Sequence, residues 1–327
     1  MIERAEAVYN LLKSHRDAGD VDAAFSAFDS MAALGDAPEV VRIRAEAADS
    51  LVWDYCKAGQ LETAQSIFDS MAALGDAPEV VCERARAAYS LVWHYGHARQ
   101  LKTAHSLFDS MAAFGDDPEV VRWRARAASP LVYYYCQAKQ LETAQSLFDS
   151  MAAFGADPKV VRWRARAASS LVYYYCQAKQ LETAQSLFDS MGAYGDDPEV
   201  VRWRASATYS LVEAYCQVGR LEATHLIFNF MAEFTKIEHV WVRREFVRKV
   251  GVERIAAACG AVSLDKNGDY ELMSVNLGGS TGACPVLKML NPSSGVWHME
   301  FVPPEVTTVV AALSWRNQSD LNPVQLT

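Results

Sequence analysis

The sequence of 327 residues contains no apolar run of 18 residues, and uncharged stretches such as 127–138 include Ser, Pro and Gln. A membrane-spanning helix needs about 20 consecutive apolar residues, so we expect no membrane partner. Residues 1–17 mix Glu, Arg, Lys and Asp with apolar residues, which is not the pattern of a signal peptide. We therefore expect a cytoplasmic protein.

The chain also lacks an excess of basic residues, because 31 Lys and Arg face 40 Asp and Glu. This balance is not typical of a general nucleic-acid binder. The seven cysteines form no Cys-x-x-Cys pair and are odd in number, which favours free thiols in a reducing compartment and predicts neither a metal nor another cofactor. A hydrophobic content of 51% excludes intrinsic disorder.

A repeat of 40 residues dominates the sequence. Phe28-Asp29-Ser30 recurs with that spacing, and a degenerate copy begins at Phe228. The intact copies begin at Phe68, Phe108, Phe148 and Phe188. Segments 101–140 and 141–180 differ at only five of their 40 positions. Such strict spacing predicts a solenoid built from one structural unit.

Each unit contains signals for two helices. Gly115 can end one helix, Asp117 can cap the next, and Pro118 suits the first helical position. We predict a long helix over about 118–137 and a shorter one over about 141–153, with a break near Lys139. The apolar residues of both segments recur at helical spacing, so each helix should bury one face.

The spacing of the buried residues resembles that of the tetratricopeptide repeat. Leu51, Tyr55, Ala64, Phe68 and Pro78 match that family in order, and the next three copies match again. Residues 55–62 with 68–71 also resemble the pentatricopeptide repeat, a related family that binds RNA. The resemblance covers about 1–235 and implies an all-α, tetratricopeptide-like solenoid of helix hairpins. Each copy exceeds the 34-residue tetratricopeptide unit, mostly within 121–126.

The period ends after the sixth unit. We predict a closing helix over about 235–260, so that residues 1–260 form the solenoid, and a small α+β domain over 261–327. That domain should contain strands over 270–276, 285–290 and 296–302 and a helix over about 304–315. Cys284, His298 and Glu300 would be its candidate catalytic residues, but no nucleophile signature accompanies them. We predict no catalytic residue and no enzyme.

The family resemblance places two rows of residues on the concave wall of the solenoid. The aromatic row is Trp53, Trp93, Tyr133 and Tyr173, and the basic row is Arg86, Arg126 and Arg166. Aromatic and arginine side chains together are typical of protein-binding surfaces. Alternatively, the aromatics fill seams between helices. Acidic residues of neighbouring copies would then neutralise Arg122 and Arg126, which are four residues apart on one helix face.

From these rows we predict a non-catalytic scaffold or adaptor that binds another protein or a peptide, possibly acidic, on its concave face. RNA binding is the alternative. The position that would read bases is nearly uniform, and together with the acidic charge this argues against a nucleic-acid partner. That position holds Ser50, Ser90, Pro130, Ser170 and Ser210. Near-identical copies would also permit self-association.

Overall fold

A computed structural model describes most of the helical repeats and part of the C-terminal region. The described residues are 1–218, 261–268, 270–276, 283–290, 297–301, 308 and 312–313. The chain divides into two compact units. One comprises Met1–Tyr174 with Ser190–Trp203, and the other comprises Tyr175–Asp189 with Arg204–Thr327.

The described helices confirm the prediction of tandem hairpins, each with a long first helix and a short second helix. The first helices are α1 (Ile2–Asp17), α3 (Pro38–Lys57), α5 (Pro78–His97), α7 (Pro118–Gln137), α9 (Pro158–Gln177) and α11 (Pro198–Gln217). The second helices are α2 (Val21–Ser30), α4 (Leu61–Ser70), α6 (Leu101–Ser110), α8 (Leu141–Ser150) and α10 (Leu181–Ser190). The predicted sixth second helix and the closing helix over 235–260 lie outside the described residues.

Local signals in the sequence explain where the long helices start. The Asp117 carboxylate accepts a hydrogen bond from the Glu119 backbone N–H at 2.9 Å, and Pro118 occupies the first helical turn. Gly115 before them has a φ of 87°, a left-handed conformation that favours glycine. The glycine and the proline recur at the start of each described long helix after α1, whereas Ala37 and Ala77 replace the capping aspartate before α3 and α5.

The second helices end three residues earlier than we predicted. In the fourth copy, α8 ends at Ser150, and a 3-10 helix over Met151–Phe154 follows. The Ser150 hydroxyl donates a 2.6 Å hydrogen bond to the Leu147 carbonyl, so it competes with the backbone for that acceptor. Ser30, Ser70 and Ser110 make the equivalent bond. The backbone therefore tightens over its last turn.

In the first unit, α1, α3, α5 and α7 pack side by side. Each of α2, α4 and α6 packs on its own first helix and on the first helix of the next hairpin. Ala64, Ala104 and Ala144 are fully buried, as expected for a position where two helix backbones approach closely. Leu131 and Met151 are also fully buried. The apolar face of each hairpin is thus covered by its neighbour.

The second unit contains a four-stranded antiparallel sheet in sequential order. Its strands are β1 (Ala261–Asn267), β2 (Tyr270–Asn276), β3 (Ala283–Leu290) and β4 (Trp297–Phe301). Leu272 and Leu287 lie opposite each other and are fully buried with Ala312. Strands β2 to β4 follow the sequence prediction, whereas β1 was missed. Of the predicted helix over 304–315, only residues 308 and 312–313 lie within the described part, and residues 312–313 are helical.

Within the described ranges, we find no helix that combines the length and the apolar character needed to cross a bilayer. The predicted domain boundary at residue 260 lies at the end of the segment 219–260, which is outside the described residues. The division into domains 1–260 and 261–327 therefore stays a prediction.

Candidate functional site

The aromatic and basic rows share one face of the first helices. On α7 this face carries Trp123, Arg126, Pro130, Tyr133 and Gln137. These residues are three or four positions apart, and such residues lie above one another on a helix. The same spacing recurs on the neighbouring first helices because the repeat has a constant length. We call this face the first-helix stripe.

The aromatic row is largely accessible to solvent. Trp53, Tyr133 and Tyr173 have exposed fractions of 39%, 38% and 43%, and Trp93 is half-buried. Such exposure is unusual for large aromatic side chains, which normally bury most of their surface. The interpretation that these side chains only fill seams between helices therefore does not account for three of the four.

Neighbouring rings hold the aromatic row in place. Tyr133 makes edge contacts with Tyr134 and Tyr174, with centroid distances of 5.6 and 6.1 Å. Tyr173 contacts Tyr174 at 5.0 Å. The Gln137 side-chain amide also donates a hydrogen bond to the Tyr133 hydroxyl. These contacts join consecutive first helices and orient exposed rings before any ligand arrives.

Two histidines complete the aromatic row at its N-terminal end. The His94 ring lies 5.6 Å from the Trp53 ring and 4.6 Å from the Trp93 ring, and His97 stacks on Trp93 at 5.7 Å. Burial, together with the nearby charge of His97, lowers the pKa of His94 to about 4. His94 is therefore neutral at physiological pH and acts as one more uncharged ring.

The basic row does not behave as one set. The Arg126 guanidinium lies over three rings, 4.6 Å from the Tyr89 centroid, 4.8 Å from Trp123 and 5.5 Å from Trp163. Arg166 lies over Trp163 at 5.6 Å and over Trp203 at 5.5 Å. We call this chain of contacts the Arg–Trp ladder; it comprises Tyr89, Trp123, Arg126, Trp163, Arg166 and Trp203. Among the residues that the structure describes, neither ladder arginine has an acidic partner within 4 Å.

Arg86 instead belongs to a carboxylate cluster. Its Nη2 atom lies 2.6 Å from Asp49 Oδ2 and 2.6 Å from Glu83 Oε2. Asp49 is buried, and this burial raises its pKa although Arg86 opposes the shift. Burial likewise raises the pKa of Glu83 to about 7. Sequence spacing groups Arg86 with Arg126 and Arg166. Its guanidinium differs from theirs because it is already paired with the carboxylates of Asp49 and Glu83.

Two substitutions within the repeat explain the difference. Asp49 stands where the next copy has Tyr89, and Glu83 stands where later copies have Trp123 and Trp163. Both substitutions are visible in the sequence, and they could have indicated that Arg86 has different partners from Arg126 and Arg166. The Arg–Trp ladder therefore begins after this pair of acidic residues.

We expect Glu83→Gln to raise the free energy of unfolding at pH 8 by about 2 kcal/mol, which is less than the full pKa difference implies because solvent partly screens the Glu83 carboxylate. A pKa of about 7 in the folded protein, against an ordinary 4.5, means that the wild type loses stability as pH rises through that interval. The glutamine variant lacks this ionisation, so its stability should change less between pH 4.5 and 7. Urea unfolding across this range measures the effect.

Glu142→Gln provides the control for this comparison, because Glu142 is an exposed glutamate on the second helix α8. It should follow the pH dependence of the wild type. Equal pH profiles for the wild type and Glu83→Gln would contradict the strained carboxylate cluster around Arg86.

Ion pairs do neutralise Arg122 and its equivalent in the next copy, Arg162. Arg122 Nη2 lies 2.7 Å from Asp157 Oδ2, and Arg162 Nη2 lies 2.7 Å from Asp197 Oδ2. Hydrogen bonds from these arginines lower the pKa of both aspartates. Each aspartate also accepts a backbone hydrogen bond at the start of its own helix. The expected pairing between copies thus occurs, but it does not include Arg126.

A further row of arginines was not singled out from the sequence. Arg84 and Arg124 lie over Phe114 and Phe154 at 4.9 and 5.0 Å. Arg164 lies over Tyr194 at 5.3 Å. Both partners recur every 40 residues, so the period contained the signal. Their contact could not be read from spacing alone, because it depends on how the 3-10 helix packs on the first helix.

Several small residues near the two rows on the first helices are buried. Cys56, Cys136 and Cys176 are buried, and burial raises the pKa of each thiol to about 12. Ser129 and Pro130 are buried as well. Within the described part of the chain, no group of three His, Cys, Asp or Glu side chains could hold a metal ion.

Three serines of the row expected to read bases do not offer free hydroxyl groups. Ser90 is buried and donates to the Arg86 carbonyl at 3.2 Å, and Ser170 donates to the Arg166 carbonyl at the same distance. Ser210 is buried and bonds the Ser206 carbonyl at 3.1 Å. These hydroxyls are therefore used inside their own helices.

The candidate catalytic residues of the C-terminal region lie on β3 and β4. Cys284 pairs with Val275, and the backbones of His298 and Glu300 pair with Met289 and Leu287. The side chains of Cys284, His298 and Glu300 lie outside the part that the structure describes, so the hypothesis of a site there stays untested.

The hairpins, their fixed period and their stacked first helices define a helical-repeat protein of the tetratricopeptide-like class. Three of its segments match the family model of the PPR (pentatricopeptide) repeat, namely residues 49–76, 131–155 and 167–196. The chain thus carries PPR repeats, a type of helical scaffold that has no catalytic centre of its own. No curated protein and no solved structure matches the chain.

The PPR match overturns our expectation that nucleic acid is not the partner, because PPR repeats typically bind RNA. That expectation rested on the nearly uniform base-reading position and on the net charge of −9, which sums over the whole chain. The structure shows that some acidic residues, including Asp157 and Asp197, are bound to Arg122 and Arg162. The net charge of the whole chain is therefore a poor guide to the charge along the first-helix stripe.

Proposed function

We propose that the chain binds single-stranded RNA along its first-helix stripe. The observation that carries this proposal is that each of the three PPR segments contains one residue of the exposed aromatic row. Segment 49–76 contains Trp53, segment 131–155 contains Tyr133, and segment 167–196 contains Tyr173. The repeats whose family binds RNA thus present one accessible ring each.

The chemistry of the aromatic row supports a single strand as the ligand. An unpaired base can stack on an exposed tyrosine or tryptophan, and each such contact contributes about 1–3 kcal/mol. Bases inside a duplex are already stacked on their neighbours, so their faces are not available. Rings on consecutive first helices would therefore take successive unstacked bases of one strand.

The stripe offers few groups that distinguish one base from another. Ser90, Ser170 and Ser210 already donate to backbone carbonyls, and Pro130 has no polar side-chain group. Stacking tolerates any base because every base has a π-face. We therefore propose binding that depends weakly on sequence, in contrast to readout through hydrogen bonds to base edges.

Fluorescence anisotropy with labelled oligouridylate, a mixed-sequence single strand and an RNA duplex of equal length tests the proposal. We expect both single strands to bind with affinities within about tenfold of each other, and the duplex to bind more weakly. Raising the salt from about 50 to 200 mM should weaken binding, because phosphate contacts release counterions. Failure of both single strands to bind at low salt would contradict RNA binding.

A further inference from the structure

The Arg–Trp ladder lies outside the segments that match the PPR repeat. The matched segments begin at residues 49, 131 and 167, whereas Arg126 and Arg166 precede the second and third of them. Trp123, Trp163, Tyr89 and Trp203 are also outside the matches. The ladder is therefore a feature of the longer first helices of this chain, and the family match does not account for it.

The ladder fixes its two guanidinium groups in defined positions. Arg126 on α7 is in contact with Tyr89 of α5 and Trp163 of α9 as well as with Trp123 of its own helix. Rings that pack against the faces of a guanidinium leave its edge available, where the N–H donors lie. Arg126 and Arg166 are both half-buried, so neither is fully shielded from solvent.

These guanidinium groups carry uncompensated positive charge. In the described part of the chain, Arg126 and Arg166 make no ion pair, although Arg122 and Arg162 on the same helices each bind an aspartate. A planar guanidinium with free donors is well suited to bind phosphate oxygens. Within the basic row, this property is confined to Arg126 and Arg166, since Arg86 is bound to Asp49 and Glu83.

The position of the ladder favours RNA phosphates over other anions. Tyr133 follows Arg126, and Tyr173 follows Arg166, by seven residues on the same helix face. Seven residues correspond to about 10 Å along a helix. A strand whose bases stack on the two tyrosines would therefore have its backbone within reach of the two arginines.

We propose that Arg126 and Arg166 contact the phosphodiester backbone of the bound RNA, and that the ladder rings hold them ready for this contact. The inference rests on the proposed RNA binding and identifies where the phosphates lie. The contact involves no base, so it adds affinity and salt dependence without adding sequence preference.

The test compares two double variants that remove the same charge from the same helices. Arg126→Gln with Arg166→Gln alters the ladder, and Arg122→Gln with Arg162→Gln alters arginines already bound to aspartates. Affinity for oligouridylate is measured against salt concentration. For the ladder variant we expect about a tenfold loss at low salt and a logarithmic salt slope smaller by about 1.4, or 0.7 for each phosphate. The control variant should keep the wild-type slope.

Thermal unfolding of both variants separates a binding role from a structural one. Arg126→Lys with Arg166→Lys retains the charge and should restore most of the salt slope. A ladder variant with lowered stability but an unchanged slope would show that the ladder only joins helices, and would overturn the proposal. An equal loss of slope in the control variant would overturn it as well, because net charge would then explain the effect.

Two other results are also decisive. If a polyglutamate peptide binds the wild type tightly and depends on the ladder arginines while oligouridylate does not, the ladder binds carboxylates and the proposal is wrong. If the wild type binds no RNA at all, the proposed function fails together with this inference. If the wild type binds RNA and the ladder variant keeps its slope, only the inference fails.

Discussion

Replacing Tyr133 and Tyr173 together with alanine is expected to weaken the binding of oligouridylate by at least about 30-fold. Each ring is about two-fifths exposed on the first-helix stripe, and removing one stacking partner typically costs about 1–3 kcal/mol. Some loss of folding stability is expected as well, because the buried part of each ring contacts neighbouring tyrosines. Anisotropy titration and thermal unfolding of the same preparation measure the two effects separately.

The matched control for this prediction is the double variant Tyr133→Phe with Tyr173→Phe. It keeps both rings and removes only the hydroxyl groups, including the acceptor for the Gln137 amide. We expect it to retain wild-type affinity within about threefold, since stacking uses the ring face. Phe25→Ala, which removes an exposed ring from the second helix α2, should not weaken binding.

Stacking would not explain recognition if the phenylalanine and alanine variants lost equal affinity, because hydroxyl hydrogen bonds would then be responsible. An alanine variant with wild-type affinity would instead place the RNA away from the aromatic row altogether.

Replacing Gly96 with cysteine is expected to lower the free energy of unfolding by about 2 kcal/mol, as is typical when a side chain is forced into a filled core. A Cβ atom at Gly96 would overlap Cδ2 of Tyr134 and lie 2.5 Å from its Cε2. Tyr134 is only 6% exposed, whereas Tyr174, which occupies the equivalent position next to Cys136, is half-buried. The missing side chain thus makes room for a buried tyrosine.

This substitution introduces the residue that other copies already carry, at Cys56, Cys136, Cys176 and Cys216. Cysteine is therefore compatible with this position of the helix, and the expected loss of stability must come from the contact with Tyr134. In a Tyr134→Ala background, Gly96→Cys should be neutral or slightly stabilising, because glycine is a poor helix former. Urea unfolding of the four proteins gives the coupling between the two positions.

Gly192→Ala is the corresponding control at a site with space. No heavy atom lies within 4 Å of a Cβ built at Gly192, and other copies have alanine there, as at Ala152. It should leave stability unchanged or raise it. A loss for Gly96→Cys that persists in the absence of the Tyr134 ring would contradict the steric explanation.

The repeat made much of the fold predictable. Helix α7 begins at Pro118 and ends at Gln137, as the sequence predicted, because the residues that start and end the long helices recur at a constant distance. Strand β1 was missed because Asp265, Lys266 and Asn267 are polar residues typical of a turn, although the backbone pairs with β2 through Asn267. Local composition does not reveal pairing with a neighbouring strand.

The binding face was less predictable than the fold. Sequence spacing put Arg86, Arg126 and Arg166 in one row, and their different partners depend on side chains of the preceding and following helices. The expectation against a nucleic-acid partner was wrong, in part because charge was summed along the chain. The sequence did indicate that Arg86 differs, since acidic residues, Asp49 and Glu83, stand where the next copy has Tyr89 and Trp123.

Although the copies are nearly identical, the joints between consecutive first helices are not. The joint between α3 and α5 contains Asp49, Glu83 and Arg86, whereas the joint between α5 and α7 contains Tyr89, Trp123 and Arg126. In a linear array, each repeat is stabilised only by its neighbours. A rise in pH that ionises Glu83 weakens the first joint and leaves the second almost unaffected, so pH changes the relative stability of two neighbouring joints in the same array.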